Sequence, residues 1–376
     1  MRKIRNYIVL FSFIILTCFL FVNQLYPFVS DAEYCENRSK AEKPEFNLKR
    51  LDKFPRQFEA YFRDHFSVRG YFLRVMGEIN TSIWKKSPKP DQVIIGKDQW
   101  LYNVDKELDC YYGKRNYSKR QLEEVLDEFK YREQVLDSMG IEMHIVICPT
   151  KYSVYPEYLP SHLVNENSIN SGVQLVEYFK ENSDLDITYA KDILMPLKSS
   201  YKLFYKSDNH WNETAGYFVA REVLKKISIN IPEIPLDSFC TDTIEHWRGN
   251  LANITGNPDA YAETVVKRHF CGDDAQPCDR FVHQALENVG FRTEFQDSYV
   301  SNNENLPDAV IIRDSYGHML IPYIKNAFHY STFIWDGWNY GFNLEIIEKE
   351  QPDVVIYMIL ESIIPNIHER ALSERK

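Results

Sequence analysis

The stretch "SKRQLEEVLDEFKYREQVLDSMGIEMHIVIC", Ser118 to Cys148, decides the fold class. Leu122, Val125, Leu126, Phe129 and Leu136 recur at helical spacing, Ser118 and Gln121 are spaced as a capping box, and Gly140 stands where the helix must stop. Ile141 to Cys148 then reads as a largely buried strand. The unit recurs along the chain. A helix near Val173 to Asn182 precedes "DITYA", and another from Glu213 to Ile227 gathers Ala215, Phe218, Val219, Val223, Leu224 and Ile227 on one face. "DAVIIRD", "STFIW" and "PDVVIYMIL" read as further strands, the last preceded by a short helix over Leu344 to Lys349. Strands alternating with helices predict a three-layer α/β domain with a mainly parallel sheet.

This domain is expected over residues 91–376. It opens with "QVIIGKDQWLYN", a β-hairpin turning at Gly-Lys-Asp. Residues 238–305 are the least periodic and richest in Asp, Asn and Cys, and read as an irregular insertion with some β character. Upstream, residues 30–90 hold Phe58, Tyr61, Phe62, Phe66, Tyr71, Phe72 and Val75 among charges, the composition of short helices lying against a body.

With 44% hydrophobic and 26% charged residues, the 376-residue chain has the composition of a packed protein. Its net charge of −10, without a basic cluster beyond the first few residues, argues against nucleic acid as a partner. The N-terminus is different. Arg2, Lys3 and Arg5 precede an uncharged run from Tyr7 to Val22, close to the roughly 20 residues that cross a bilayer as a helix. Cations before the run, with Asp31 and Glu33 after it, orient the remainder to the outside. Residues 1–29 therefore read as a signal anchor, or as a signal peptide cleaved near "SDA", Ser30 to Ala32.

Outside the cytoplasm disulfides persist, and Cys271 and Cys278 are close enough in sequence to staple one loop. Cys148, closing an apolar strand, reads as a buried thiol. His144, within that strand, reads as a hydrogen-bonded core residue. Sequons occur at Asn37, Asn80, Asn116, Asn212 and Asn253.

Two segments bear chemistry. In "SDNHW", Ser207 to Trp211, Asp208 and His210 lie two apart on an extended segment ahead of a helix, where the carboxylate can fold back onto Nδ1 and leave Nε2 for another group. In "AVIIRDSYGHML", Ala309 to Leu320, a strand breaks at Ser315 before Gly317. Such a turn exposes a serine at the carboxyl edge of a sheet, where open α/β folds bind ligands. A serine needs a base and a histidine needs an acceptor to fix its tautomer, so the two segments supply complementary parts. Helix capping by Asp314 and Ser315 is the competing reading. Asp314 and His318 also raise a metal site shared with Asp208 and His210, but no second motif with ligand spacing supports it, and no metal or cofactor is expected. Trp335, Trp338 and Tyr340 offer ring faces for sugars, against packing as their default role.

The ordered pieces "ENRSKAEKPEF", "VIIGKDQWLY", "CPTKYSVYPEYLP", "SDNHWNETAGYFVAREVL", "GNLANITG", "IIRDSYG" and "PDVVIYMILES" resemble the SGNH hydrolase-like proteins of the AlgX/AlgJ alginate O-acetylation type and their DHHW relatives. The resemblance implies Ser315 as nucleophile, His210 as general base and acid, and Asp208 as its orienter. It departs at Arg313, often Gly in the family, and at Asn209 in the second motif position. The oxyanion donors are expected at the N–H groups of Ser315 and Tyr316. Lys151 and Tyr155, with Asn209 and Trp211, are the substrate-side candidates. The implied activity is O-acetylation of an extracytoplasmic polysaccharide, with a membrane-bound O-acyltransferase as acyl donor. An acetylesterase of the same chemistry and a non-catalytic polysaccharide-binding or secretion-complex component are the alternatives.

Overall fold

The computed structural model describes residues 2–28, 40–46, 50–84, 86–165, 169–229, 233–272, 275–283, 296–336 and 338–368. The Ser30–Ala32 site, Cys35, the Asn37 sequon and residues 284–295 of the expected insertion lie outside these. In chain order come helices α1 (Arg2–Leu25), α2 (Phe54–Asp64) and α3 (Arg69–Glu78), then strands β1 (Val93–Ile95) and β2 (Leu101–Asn103). Next are α4 (Asp105–Tyr111), α5 (Lys119–Ser138), β3 (Glu142–Cys148), α6 (Lys151–Val154), α7 (Ser171–Asn182), β4 (Ile187–Tyr189), α8 (Ala190–Leu194) and α9 (Glu213–Lys226). They are followed by β5 (Cys240–Trp247), α10 (Asn250–Ile254), β6 (Glu263–His269), β7 (Gln276–Pro277) and β8 (Gln296–Val300). The C-terminal part holds β9 (Ala309–Arg313), α11 (Ile321–Ile324), β10 (Tyr330–Trp335), α12 (Leu344–Glu350) and β11 (Val354–Leu360).

The main sheet has seven strands in the order β4-β3-β11-β9-β10-β8-β7. Its first five are mutually parallel, and β8 and β7 complete one edge antiparallel. Every residue of β9 and β11 is buried, as strands covered on both faces require. Helices α5 and α7 pack together, with Phe129 edge-on to Phe179 and to Tyr357 of β11. Helices α8, α9 and α11 form the other layer.

Local chemistry sets the helix starts. Ser118 and Gln121 complete the capping box of α5, while Asn170 and Asn212 cap α7 and α9 through their side-chain oxygens. The "QVIIGKDQWLYN" hairpin forms as expected, Val93 pairing with Asn103. His144 is a core residue between Asp186 and Thr188, and Cys148 is buried.

Two expectations are corrected. Cys271 bonds to Cys240, leaving Cys278 a free thiol, because β5 and β6 are antiparallel and bring residues 240 and 269 opposite each other at the hairpin's open end. The irregular region also divides: β5–β6 is a separate hairpin, whereas β7 and β8 extend the main sheet.

At the N-terminus, Asn6–Leu25 forms, among the described residues, the one helix long and apolar enough to cross a membrane, and 6% of its most apolar window is buried against the protein.

Candidate active site

The strand order places the ends of β3, β11 and β9 side by side, so the turns after Cys148, Leu360 and Arg313 share one rim. Ser315 follows β9 directly, in a short turn capped by Asp314, whose Oδ1 accepts the Tyr316 N–H at 2.7 Å. The other Asp314 oxygen accepts the Tyr340 hydroxyl at 2.5 Å and the Leu360 N–H at 3.1 Å. Asp314 is therefore a buried fastener between β9 and β11, with both oxygens committed. Burial pushes its carboxyl up despite these donors.

The Asp-x-His segment crosses this rim in front of α9. His210 Nε2 lies 2.9 Å from Ser315 Oγ, and its Nδ1 lies 2.6 Å from Asp208 Oδ1. Asp208 also accepts the N–H groups of His210 (3.0 Å) and Asn250 (2.7 Å). Burial alone would raise the Asp208 carboxyl. The His210 charge, its ring hydrogen bond and the two peptide donors outweigh that and hold it well below the carboxylate range. Burial lowers His210 in turn, but Asp208 and, more weakly, Glu107 and Asp314 bring it above an ordinary imidazole. The geometry suits proton transfer: Nε2 is within reach of the serine proton, and Asp208 favours an imidazolium.

Two reciprocal hydrogen bonds lock the halves together. The Trp211 indole N–H donates to the Tyr316 carbonyl, and the Tyr316 hydroxyl donates to the Asn209 carbonyl, each at 2.8 Å. Both side chains are fully buried, with rings 5.6 Å apart. Gly249 serves the same closure. A Cβ there would stand 2.4 Å from the Ser207 carbonyl oxygen, so only glycine lets α10 approach closely enough for Asn250 to reach Asp208.

A cleft of about 520 Å³ opens over Ser315, His210 and Asp208. Tyr205, Trp247 and Trp335 supply aromatic lining, and Asn250, Lys267 and His318 polar lining. The Arg313 guanidinium also borders it, reaching past β10 to pair with Asp297 of β8 at 2.5 Å and donating to the Asp314 carbonyl. The residue that departs from the family pattern thus braces the strand ends beneath the serine.

Several sequence-chosen positions sit elsewhere. Lys151 is buried behind Asp208, where its ammonium donates to the carbonyls of Leu101 (2.8 Å), Lys206 (3.3 Å) and Asp208. It cannot face substrate, because three inward carbonyls use its three protons. Burial lowers it to about 7, with Asp208 and Glu107 acting against that fall. Tyr155 is buried too, donating to the Tyr201 carbonyl and accepting the Leu203 N–H. Trp211 and the Tyr316 side chain fill the seam, and the Tyr316 N–H expected for an oxyanion is already taken by Asp314. Tyr340, bound to Asp314, is no sugar platform, whereas Trp335 lines the cleft. Asn209 donates from its side chain to Glu107 Oε1 at 3.3 Å.

The sequence carries no motif that marks Glu107. It lies within α4, accepts also from Asn103, and burial pushes it up to about 7. Asn250, within "GNLANITG", is a second site residue that the motifs do not mark as such. Its signal is a Gly-Asn opening a short helix.

The family described as "SGNH hydrolase-like domain, acetyltransferase AlgX" matches residues 93–285, a span that includes Asp208 and His210 and ends before Ser315. A probable alginate O-acetylase AlgJ of Pseudomonas syringae pv. tomato is 24% identical over 206 residues, 53% of this chain and 50% of that protein. The corresponding protein of Pseudomonas fluorescens is 23% identical over 48% of this chain and 44% of its own length. The chain thus spans about half the length of the AlgJ relatives it matches. Among solved structures, a DHHW family protein from Eubacterium siraeum superposes with a TM-score of 0.54 at 15% identity, covering 75% of this chain and 98% of that one. Bacillus cereus PatB1 gives 0.52 at 15% identity, covering 72% and 96%. Both share the fold. The chain belongs to the AlgX family of SGNH hydrolase-like domains.

Proposed function

We propose that this chain is an extracytoplasmic O-acetyltransferase that modifies hydroxyls of a polysaccharide, held at the membrane by α1. The observation that carries this reading is the relay from Asp208 through His210 to Ser315 at the floor of an aromatic-walled cleft. In the reaction, Ser315 Oγ attacks the acyl carbonyl carbon while its proton passes to His210 Nε2. The oxyanion donors in this reading are the Ser315 N–H and the side-chain amide of Asn250, which lines the cleft. Collapse breaks the bond to the donor's leaving group, which takes the proton from His210, and an acetyl-serine remains. A sugar hydroxyl then gives its proton to His210 and attacks the ester, and Ser315 Oγ leaves reprotonated. Tyr205, Trp247 and Trp335 offer apolar ring faces to the acceptor.

Transfer rather than hydrolysis is supported by family membership and by the AlgJ relatives, described as probable alginate O-acetylases. A membrane-bound O-acyltransferase is the donor that suits an anchored enzyme facing outward. The test uses the purified full chain in detergent, an activated acetyl ester and an oligosaccharide acceptor. Acetylated sugar from wild type, lost in Ser315→Ala, is the expected result. Release of acetate alone assigns an esterase instead. Failure of wild type and Ser315→Ala alike to react with a serine-directed fluorophosphonate leaves a non-catalytic binding component.

A further inference from the structure

Residues 50–89 are exceptional in two respects. They carry nine Lys and Arg against four Asp and Glu in a chain of net charge −10, an excess that the whole-chain balance conceals. They also carry several large aromatic rings that stand exposed among the described residues. Along α2, Phe54, Phe58, Phe62 and Phe66 form a ladder with centroids 5.7 to 6.3 Å apart, and Phe58 and Phe62 are 47% and 45% exposed. Arg56, Glu59 and Arg63 lie between these positions. On α3, Tyr71, Phe72 and Met76 are exposed, and Trp84 beyond it is 58% exposed.

These helices are fixed to the end of α1. Asn23 Nδ2 donates to Ser67 Oγ at 3.0 Å, the Ser67 N–H donates to Gln24 Oε1 at 2.7 Å, and Gln24 Nε2 donates to the His65 carbonyl at 3.3 Å. The corner between α2 and α3 therefore sits at the level where α1 ends. On the other side α3 is seated on the body. A Cβ at Gly77 would stand 2.4 Å from the Gly256 carbonyl carbon, and Asn257 donates to Thr81 Oγ1 at 3.0 Å. Gly256 closes the segment begun by α10, whose first residue holds Asp208.

We propose that α2 and α3 lie in the headgroup layer of the bilayer, their aromatic rings reaching the acyl boundary and their arginines engaging anionic phospholipid. The inference rests on α1 being retained as an anchor. Amphipathic helices with aromatic and basic faces bind membranes in this way, and tryptophan and tyrosine settle at the interface. The consequence is a fixed height for the cleft: α1, the Ser67 corner, α3, Gly256 and α10 form an unbroken series of packed contacts from the bilayer to Asp208.

The full chain is reconstituted in vesicles of phosphatidylethanolamine and phosphatidylglycerol, with acyl chains brominated either near the carbonyl end or near the methyl end. Wild type minus Trp84→Phe isolates the emission of Trp84. Phe62→Trp in the Trp84→Phe background, minus Trp84→Phe alone, reports on α2. Both difference spectra should fall about twofold with bromine near the carbonyl end and much less with bromine near the methyl end, as for rings at the headgroup and acyl boundary. Vesicle flotation separates the premises. A chain that floats with neither difference spectrum quenched overturns the inference and assigns the aromatic strip to a protein partner. A chain that fails to float refutes the anchor and the inference with it.

Discussion

The two bonds between Trp211 and Tyr316 lend themselves to a double-mutant cycle, because they bridge the same seam in opposite directions. Trp211→Phe keeps a ring but removes the indole N–H, leaving the buried Tyr316 carbonyl without its donor. Tyr316→Phe removes the hydroxyl that serves the Asn209 carbonyl. Each loses one hydrogen bond and orphans one buried acceptor, which costs about 1–3 kcal/mol. The effects should not add. Once either bond is lost, the seam loosens and water reaches the second carbonyl, so the double variant should fall short of the sum by about 0.5 kcal/mol or more. Both segments hold the relay, so each single variant should also lose roughly tenfold in kcat, equal to about 1.4 kcal/mol of activation free energy. Urea unfolding followed by circular dichroism gives the first quantity, and turnover of an acetyl ester the second. Additive stabilities with unchanged kcat would mean that the seam positions neither half of the site, and the reasoning would be wrong.

Further outcomes follow from the same contacts. The imidazole must be neutral to accept the Ser315 proton, and His210 is raised, so activity should rise with pH through a midpoint above the ordinary imidazole value of about 6.5. Asp208→Asn should move that limb down and lower kcat, which a pH–rate profile reads. The depressed Asp208 carboxyl contributes stability that is full above its unfolded value of about 3.9 and lost as pH falls toward its folded one, so acid unfolding of Asp208→Asn should be less steep below that pH. Asn250→Ala should cut kcat by about 10²–10³ while leaving Asp208 in place, because the contact to Asp208 is made by the Asn250 peptide N–H. A crystal structure of the variant with Asp208 displaced would assign the loss to positioning instead. Reduction of Cys240–Cys271, whose cysteines are separated by 31 positions in sequence, should cost roughly 3–4 kcal/mol by chain entropy. Alkylation mapping of the unreduced protein should label Cys278 and spare Cys240 and Cys271.

What the sequence revealed follows the range of the forces involved. Helix caps and strand periodicity are local, so the α5–β3 unit, the β1–β2 hairpin and the strands β9, β10 and β11 were readable from spacing and composition. Asp208 and His210 were readable because the carboxylate and imidazole interact across two residues. Their meeting with Ser315 depends on β9 lying beside β11, and only the order of motifs and the family resemblance hinted at it. The cysteine pairing failed for the same reason: proximity in sequence favoured Cys278, whereas strand register favoured Cys240.

The Lys151 assignment failed for a more instructive reason. A lysine in the loop after a sheet strand is by default an exposed cation, and composition cannot say that three carbonyls converge on it. Two of those carbonyls, of Lys206 and Asp208, belong to the segment that presents His210, and the third belongs to β2. Glu107 also holds that segment, receiving Asn209, and burial brings both ionisable groups to about 7 from opposite directions. The Asp-Asn-His run is thus held by a buried lysine gripping its backbone and a buried acid gripping its middle side chain. At the second motif position Asn209 supplies a donor to Glu107, and its amide does so without itself titrating.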